Sequence, residues 1–250
     1  VVTGMSNLHL DVILSRLKSR YDIDVESRQP KIPHKETITT KANAQYKHKK
    51  QTGGKGQYGE VYLRIEPLER GGGFEFATKI VGGAIPSQYI PAVEKGLRET
   101  IAKGILSKNP IVDVKVELYD GSFHNVDSSE AAFKIAASKA FNLAFNDAKP
   151  VLLEPVVNIE VTIPSEFMGD ITGNLSSRRG RVQGMDSFGD LQVLKASIPM
   201  DEVKNYETEL KSMTGGRGSY TMELSHYDVV PSHLTQAIIA QAKKEAETVD

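Results

Sequence analysis

Residues 128–146 read SSEAAFKIAASKAFNLAFN, a stretch rich in alanine and phenylalanine. Its apolar residues recur three and four positions apart, which is the spacing of one face of an α-helix. Because this face covers a wide arc, the stretch predicts a helix buried in the core of its domain. The face consists of Ala132, Phe133, Ala136, Ala140, Phe141 and Ala144.

Strand patterns precede this helix. A polar strand is predicted over 35–48, alternating strands over 60–68, 74–81 and 113–119, and a helix over 90–103 with Pro91 in its first turn. After the helix, the pattern predicts a strand over 156–163, a helix over 165–176, a hairpin over 181–198, a helix over 201–213, a strand over 218–226 and a helix over 232–247. The order β-α-β-β-α-β over 156–226 is the ferredoxin-like split pattern.

The first 29 residues predict a strand, a helix and a second strand over 22–27. This segment is too short to bury a core alone, so we expect it to be the second half of a domain, with its helix's apolar face partly covered. Prolines at 30 and 33 mark the next boundary, and prolines at 150 and 155 mark the one after it.

The composition of the 250 residues limits the classes of function. Cysteine is absent, which excludes disulfides, thiolate zinc sites and cysteine nucleophiles, and favours a reducing cytoplasm. No apolar run approaches the ~20 residues that span a bilayer, and we expect no signal peptide and no membrane partner. The net charge of −1 does not by itself indicate any partner.

A basic stretch lies between Glu36 and Glu60, which contains five lysines and no acidic residue. Two interpretations remain open here: a solvated edge strand protected by lysines, or a contact with a phosphate backbone. The stretch ends in residues 51–61, QTGGKGQYGEV, in which 54–61 match the kinase pattern G-x-G-x-x-G-x-V and the shorter dinucleotide fingerprint.

The context of these glycines disfavours a nucleotide site. A polar strand precedes the loop, an alternating strand follows it, and the other kinase motifs and the Walker pattern are missing. A glycine-rich loop between strands that carries Gln51, Lys55, Gln57 and Tyr58 suits contact with RNA instead. A nucleotide-binding enzyme that uses residues 54–59 is kept as the hypothesis from another class.

Residues 121–130, GSFHNVDSSE, form a second candidate site. Asp127 or Ser128 is expected to cap the long helix, which leaves His124 unexplained. A Ser/His/Asp triad is disfavoured because residues this close in sequence rarely reach triad geometry. The six histidines show no metal-ligand spacing, so we predict no metal site and no catalytic residue.

Two basic turns complete the candidates. Arg178 and Arg179 follow one predicted helix, and Arg217 follows another beside three glycines. The helix dipole alone favours cations at these positions, and phosphate contact is the alternative.

Several of these motifs together resemble the C-terminal part of elongation factor G, a translational GTPase. The resemblance covers nearly the whole chain. It rests on residues 4–11 (GMSNLHLD), 51–61, 82–93 (GGAIPSQYIPAV), 121–130, 149–155 (KPVLLEP), 175–180 (LSSRRG) and 217–223 (RGSYTME).

The resemblance implies an α+β protein of three parts. Residues 1–29 are similar to the C-terminal half of domain III, which is half of a ferredoxin-like domain. Residues 30–152 are similar to domain IV, an S5-domain-2-like α/β fold with a left-handed βαβ crossover. Residues 153–250 are similar to domain V, a ferredoxin-like domain.

In this family the tip of domain IV enters the decoding centre of the small ribosomal subunit and contacts tRNA and mRNA. The resemblance assigns Gln51, Gly54, Lys55, Gly56, Gln57 and His124 to the tip. Domain V lies near the sarcin–ricin loop, so Arg178, Arg179 and Arg217 become candidates for contact with ribosomal RNA.

The resemblance also implies that GTP and magnesium bind in an N-terminal domain of the parent that this chain lacks. We therefore expect a cytoplasmic monomer without cofactor that is not itself an enzyme. Thr52 and Glu60 are similar to residues of EF-G-like paralogs, so the parent's step stays open between translocation and ribosome recycling. A tetracycline-type ribosome-protection protein is a further alternative with the same architecture.

Overall fold

The structure, a computed structural model, describes residues 7–25, 31–51 and 56–247. Contacts between Cα atoms divide it into two compact units. One unit comprises 34–154 and 227–250, and the other comprises 155–226 with the described part of 1–33. No helix in the described part of the chain is long and apolar enough to cross a membrane.

The unit built from 34–154 and 227–250 contains a four-stranded sheet in the order β2-β3-β5-β4. β4 and β5 run parallel, so the chain crosses over between them through helix α2. Helix α3 contacts β2 and β3, and α2 packs beside α3. The bounds are β1 Lys35–Ile38, β2 Ala42–Lys50, β3 Gln57–Pro67, β4 Phe74–Thr78, α2 Ile90–Lys103, β5 Val114–Ser122 and α3 Glu130–Asp147, with α6 at Ser232–Glu247.

Helix α3 is the core of this unit, as its sequence predicts. Eight of its side chains are buried, and they pack against the apolar residues of β3, β5 and α2. The buried side chains are Ala132, Phe133, Ala136, Ala137, Ala140, Phe141, Ala144 and Phe145. Predicting the cap at Asp127 or Ser128 was wrong, because the hydroxyl of Ser129 accepts the hydrogen bond from the N–H of Ala132.

A buried carboxylate organises the loop between α2 and β5. Glu36 in β1 is inaccessible to solvent, and its two oxygens accept hydrogen bonds from the backbone N–H groups of Ile105, Leu106, Ser107 and Asn109. These bonds measure 2.8–3.2 Å, and the hydroxyl of Ser107 adds a fifth at 3.1 Å. Since a buried charge is tolerated only when it is satisfied, Glu36 and this loop depend on each other.

We expect Glu36→Gln to lower the free energy of unfolding by about 3 kcal/mol. The NH₂ group of the new amide is a donor, and it would face backbone N–H groups that need an acceptor. Urea unfolding followed by circular dichroism measures the loss. Glu75→Gln, at an exposed position of β4, is the matched control and should leave stability unchanged. Equal stability of the two variants would contradict this role of Glu36.

The unit that contains 155–226 follows the predicted β-α-β-β-α-β order. β6 pairs antiparallel with β8, β8 pairs antiparallel with β7, and β9 pairs with β6. Helices α4 and α5 supply Ile171, Leu175, Tyr206 and Leu210 to its core. The bounds are β6 Pro150–Pro164, α4 Met168–Ser177, β7 Arg181–Phe188, β8 Leu191–Pro199, α5 Tyr206–Met213 and β9 Ser219–Val229.

Both helices of this unit begin later than predicted. Each follows a short 3₁₀ turn, at Ser165–Phe167 and at Met200–Val203, which the sequence pattern had merged with the helix. Such turns are frequent at helix N-termini and share much of the helical spacing, so periodicity alone does not separate them.

The N-terminal segment forms helix α1, Asn7–Tyr21. Its Val12 is 41% exposed and Ile13 is half-buried, in line with a partly covered apolar face. The strand predicted over 22–27 is wrong for 22–25, because Asp22 adopts a left-handed φ of 54° and bonds back to Lys18. Residues 26 and 27, and the strand predicted before the helix, lie outside the described residues.

The two boundary prolines, Pro150 and Pro155, both lie inside β6. The chain therefore passes from one compact unit to the other within a strand, between Glu154 and Pro155. Residues 227–247, predicted as part of a domain over 153–250, belong to the same compact unit as 34–154.

The structure confirms the α+β class, with a parallel crossover in one unit and a split β-α-β-β-α-β order in the other.

Candidate nucleic-acid interface

The glycine-rich loop connects two antiparallel strands. β2 is an edge strand that ends at Lys50, and β3 begins at Gln57, which pairs with Lys50. A dinucleotide fingerprint opens a helix, so the strand after the loop removes the structural context of a nucleotide site. Residues 52–55 lie outside the described residues, and the predicted contacts at Gly54 and Lys55 are therefore not placed.

Packing constrains two glycines of the motif, Gly59 against helix backbone and Gly56 against the Asp127 side chain. A Cβ on Gly59 would lie 3.1 Å from the backbone of Ala132 and Phe133 in the first turn of α3. A Cβ on Gly56 would lie 2.8 Å from the carboxylate carbon of Asp127. Glycine therefore lets β3 approach α3 and the loop before it, which accounts for both residues without any ligand.

Gly59→Ala should cost about 1–3 kcal/mol of stability, since the added methyl group overpacks against a helix backbone that cannot move independently. Thermal unfolding without nucleotide measures this cost. Gly184→Ala in β7 is the control, because a Cβ there meets no atom within 4 Å. A Gly59→Ala protein as stable as this control would show that Gly59 is not needed for packing.

Three hydrogen bonds fix the loop between β5 and α3 onto the start of β3. The N–H of Tyr58 donates to the carbonyl of Asp127 (2.9 Å), and the N–H of Gly56 donates to Asp127 Oδ1 (3.1 Å). The Ser128 hydroxyl donates to the carbonyl of Tyr58 (3.0 Å). Asp127 and Ser128, predicted as helix caps, therefore join two loops about 70 residues apart in sequence.

These bonds bring Gln57 and His124 to the same end of the sheet. Gln57 is exposed, and its side-chain Oε1 lies 2.9 Å from His48 Nε2. The His124 side chain is 55% exposed, and its ring centroid lies 6.2 Å from that of Tyr58. Gln51 is exposed just after β2.

His124 has the surroundings of a loop residue and not of a catalytic base. Its N–H donates to Ser128 Oγ (2.9 Å), and its ring Nδ1 accepts from the N–H groups of Val126 (3.3 Å) and Asp127 (3.2 Å). Among the described residues no serine hydroxyl bonds to the imidazole, so the triad geometry is not formed. The described part of the chain also holds no cluster of three or more residues that could bind a metal.

Two exposed apolar side chains flank His124, and sequence reasoning had not selected them. Phe123 is 41% exposed and Val126 is 64% exposed. Their only sequence signal is their position, since both stand in a polar loop on no periodic face. We call Gln51, Gly56, Gln57, Phe123, His124 and Val126 the tip surface.

The buried carboxylate of Glu60 stabilises the strands that carry the tip surface. Glu60 in β3 is 5% exposed and accepts hydrogen bonds from Gln45 Nε2 (2.6 Å), Ser122 Oγ (2.6 Å) and the Tyr58 hydroxyl (3.2 Å). Burial opposes the ionisation of Glu60, but bonds from Ser122, Gln45 and Lys47 outweigh burial and lower its pKa. This network ties β2, β3 and β5 together beneath Tyr58.

The basic stretch is partly neutralised within the fold. Lys47 lies 3.3 Å from Glu60, whose carboxylate raises the pKa of Lys47, and Lys41 lies 3.1 Å from Glu66. Lys49 and Lys50 are exposed at the end of β2 nearest the glycine loop. The edge-strand interpretation of this stretch is confirmed, and a phosphate contact stays a prediction for Lys49 and Lys50.

The predicted arginines do not form one patch. Arg178 pairs with Glu209 and donates to the carbonyl of Glu202 (2.5 Å), and Arg179 Nε lies 2.9 Å from a carboxylate oxygen of Glu202. Arg217 pairs with Glu166 (2.5 Å). Glu202 follows β8 and Glu166 follows β6, and since these strands are antiparallel the two sites lie at opposite ends of the sheet.

The arginines also differ in exposure. The side chains of Arg178 and Arg179 are 20% and 27% exposed, whereas that of Arg217 is 56% exposed. Arg178 therefore contributes to the packing of α4 and α5, and Arg217 is the most accessible of the three to a phosphate group.

Comparison with protein families gives two matches. Residues 30–149 match the model described as elongation factor G, domain IV, and residues 151–238 match the model described as elongation factor G C-terminus. The two ranges follow each other and together span most of the chain.

Known proteins agree with these matches. The chain is 49% identical over 248 residues to a Thermotoga maritima protein named elongation factor G-like protein. The aligned region covers 99% of this chain and 36% of the relative. A crystal structure of a Thermus thermophilus protein matches with a TM-score of 0.84 and 46% identity, covering 96% of this chain and 36% of that one. The chain thus spans about a third of the length of the relatives it matches.

Proposed function

This chain belongs to the elongation factor G family, and we propose on that basis that it is the ribosome-binding part of a translation factor. In this proposal the tip surface enters the decoding centre of the small subunit and contacts the tRNA and mRNA there. GTP hydrolysis is assigned to those regions of the relatives that this chain does not match, and no cofactor is assigned to the chain itself.

The observation that carries the proposal is the joining of the two loops by Asp127 and Ser128. It places Gln57 and His124 at the same end of the sheet on backbone that the fold fixes, with Lys50 paired opposite Gln57 and Lys49 opposite Tyr58. A glutamine amide offers donors and an acceptor to base edges and ribose, and the exposed Phe123 offers a ring on which a base can stack.

Arg217 is proposed as a phosphate contact near the sarcin–ricin loop, because its side chain is exposed and a guanidinium binds phosphate oxygens well. Arg178 and Arg179 are proposed as weaker contributors, since their carboxylate partners already use part of their donor capacity. The proposed site of action is the cytoplasm, where ribosomes work.

Co-sedimentation with bacterial 70S ribosomes across a salt series tests the proposal. Binding should weaken as salt rises, because lysine contacts with phosphates release counterions. The double variant Gln57→Ala/His124→Ala should weaken binding about fiftyfold, which corresponds to two lost hydrogen bonds of ~1.2 kcal/mol each.

Gln183→Ala/His226→Ala is the matched control, because it removes an exposed glutamine and an exposed histidine from the other unit. Equal loss in both double variants, or binding that does not depend on salt, would contradict docking through the tip surface. If Arg217→Ala weakened binding and the tip double variant did not, the ribosome contact would belong to the unit that contains Arg217.

A role in ribosome recycling is the second candidate. The name of the Thermotoga maritima relative, elongation factor G-like protein, favours a paralog, as does the resemblance of Thr52 and Glu60 to residues of such paralogs. A chimera that carries this chain in place of the matching 36% of that relative separates the two roles. Movement of mRNA by one codon in a toeprinting assay would support translocation, and subunit splitting without such movement would support recycling.

A further inference from the structure

The hydrogen bonds of His124 determine which of its ring nitrogens carries a proton. Nδ1 accepts from two backbone N–H groups of its own loop, those of Val126 and Asp127. A nitrogen that accepts uses its lone pair and has no hydrogen, so the proton of the neutral ring must be on Nε2.

The carboxylate of Asp127 is the one charged group beside Nδ1 among the described residues, with Oδ2 at 3.4 Å. An ion pair there would require a proton on Nδ1 and would break both bonds from the backbone. The carboxylate is already engaged, because its Oδ1 accepts from the N–H of Gly56. The N–H groups of Val126 and Asp127 direct their hydrogens at Nδ1, whereas the contact with Oδ2 is a contact between charges only, so the backbone donors orient the ring.

We propose that the 124–128 loop locks His124 in the Nε2–H tautomer, so that the tip surface presents a hydrogen-bond donor to an acceptor atom of RNA. This inference rests on the proposed function and specifies the chemistry of the same site. The two ring nitrogens point in different directions, so Nε2–H faces away from the loop amides that bind Nδ1.

The locked donor limits which RNA groups the histidine recognises. Phosphate oxygens, ribose 2′-oxygens and base carbonyls or ring nitrogens can accept from Nε2–H, whereas the amino groups of bases cannot. Asp127 is a positioning residue here: its N–H donates to Nδ1, and its carboxylate accepts from the N–H of Gly56, just before β3.

Nitrogen NMR of the histidine rings in the whole chain tests the tautomer directly. At about pH 7.5, where a histidine ring is mostly neutral, the ¹⁵N shifts of His124 should show Nδ1 without a proton and Nε2 with one. The exposed His233 at the start of α6 should show the usual exchanging mixture. A proton on Nδ1 of His124, or a mixture equal to that of His233, would overturn the proposal.

Two substitutions test the donor on the ribosome. In His124→Gln the side-chain amide places an N–H donor near the position of Nε2. In His124→Asn the carbonyl oxygen can still accept from the loop N–H groups at the position of Nδ1, but no donor reaches outward. We expect His124→Gln to bind 70S ribosomes within about threefold of the wild type and His124→Asn to bind about five- to tenfold more weakly, the loss of one hydrogen bond.

Amide shifts of Val126 and Asp127 report whether the loop is intact in each variant. An intact His124→Asn loop with wild-type affinity would overturn the donor assignment. Wild-type protein that binds no ribosomes at any salt concentration would overturn the proposed function and the RNA assignment together, whereas the nitrogen shifts decide the tautomer without ribosomes.

Discussion

The tip surface depends on one short contact between distant parts of the chain, the bonds of Asp127 and Ser128 to Gly56 and Tyr58. Backbone groups in this part of the chain must find partners, and these bonds satisfy the N–H groups of Gly56 and Tyr58 and the carbonyls of Tyr58 and Asp127. They hold Gln57 and His124 at the same end of the sheet. Glycine at 56 and 59 is the steric condition for this approach, because a side chain there would meet Asp127 or the first turn of α3.

Charge pairing determines which lysines stay available near the tip surface. Glu60 beneath the tip neutralises Lys47 and ties three strands together, which leaves Lys49 and Lys50 as the exposed cations of β2 near the loop. Positive charge is thereby concentrated at the end of the sheet where Gln57 and His124 lie. A basic stretch that looks uniform in sequence is divided by the fold into a structural half and an accessible half.

The sequence predicted the helices and strands better than the contacts between the loops that connect them. Helix α3 and the β-α-β-β-α-β order were predictable because apolar spacing reports directly which face is buried. The cap was misassigned because Asp127, Ser128 and Ser129 are all good caps, and the contacts with β3 that occupy the first two are invisible to local pattern. The assignment of both Gln57 and His124 to the tip came from family resemblance. Phe123 and Val126 were missed because exposed apolar loop residues leave no periodic signal.

The most direct measurement is site-directed cleavage of ribosomal RNA by an iron chelate tethered to a single cysteine. The chain has no cysteine, so Asn125→Cys provides one attachment point beside the tip surface, and Ser187→Cys in the other unit provides the control. Docking of the tip predicts cuts from position 125 in the decoding centre of the small-subunit RNA and cuts elsewhere from position 187. Cuts from position 125 that avoid the decoding centre, or that match those from position 187, would contradict the account.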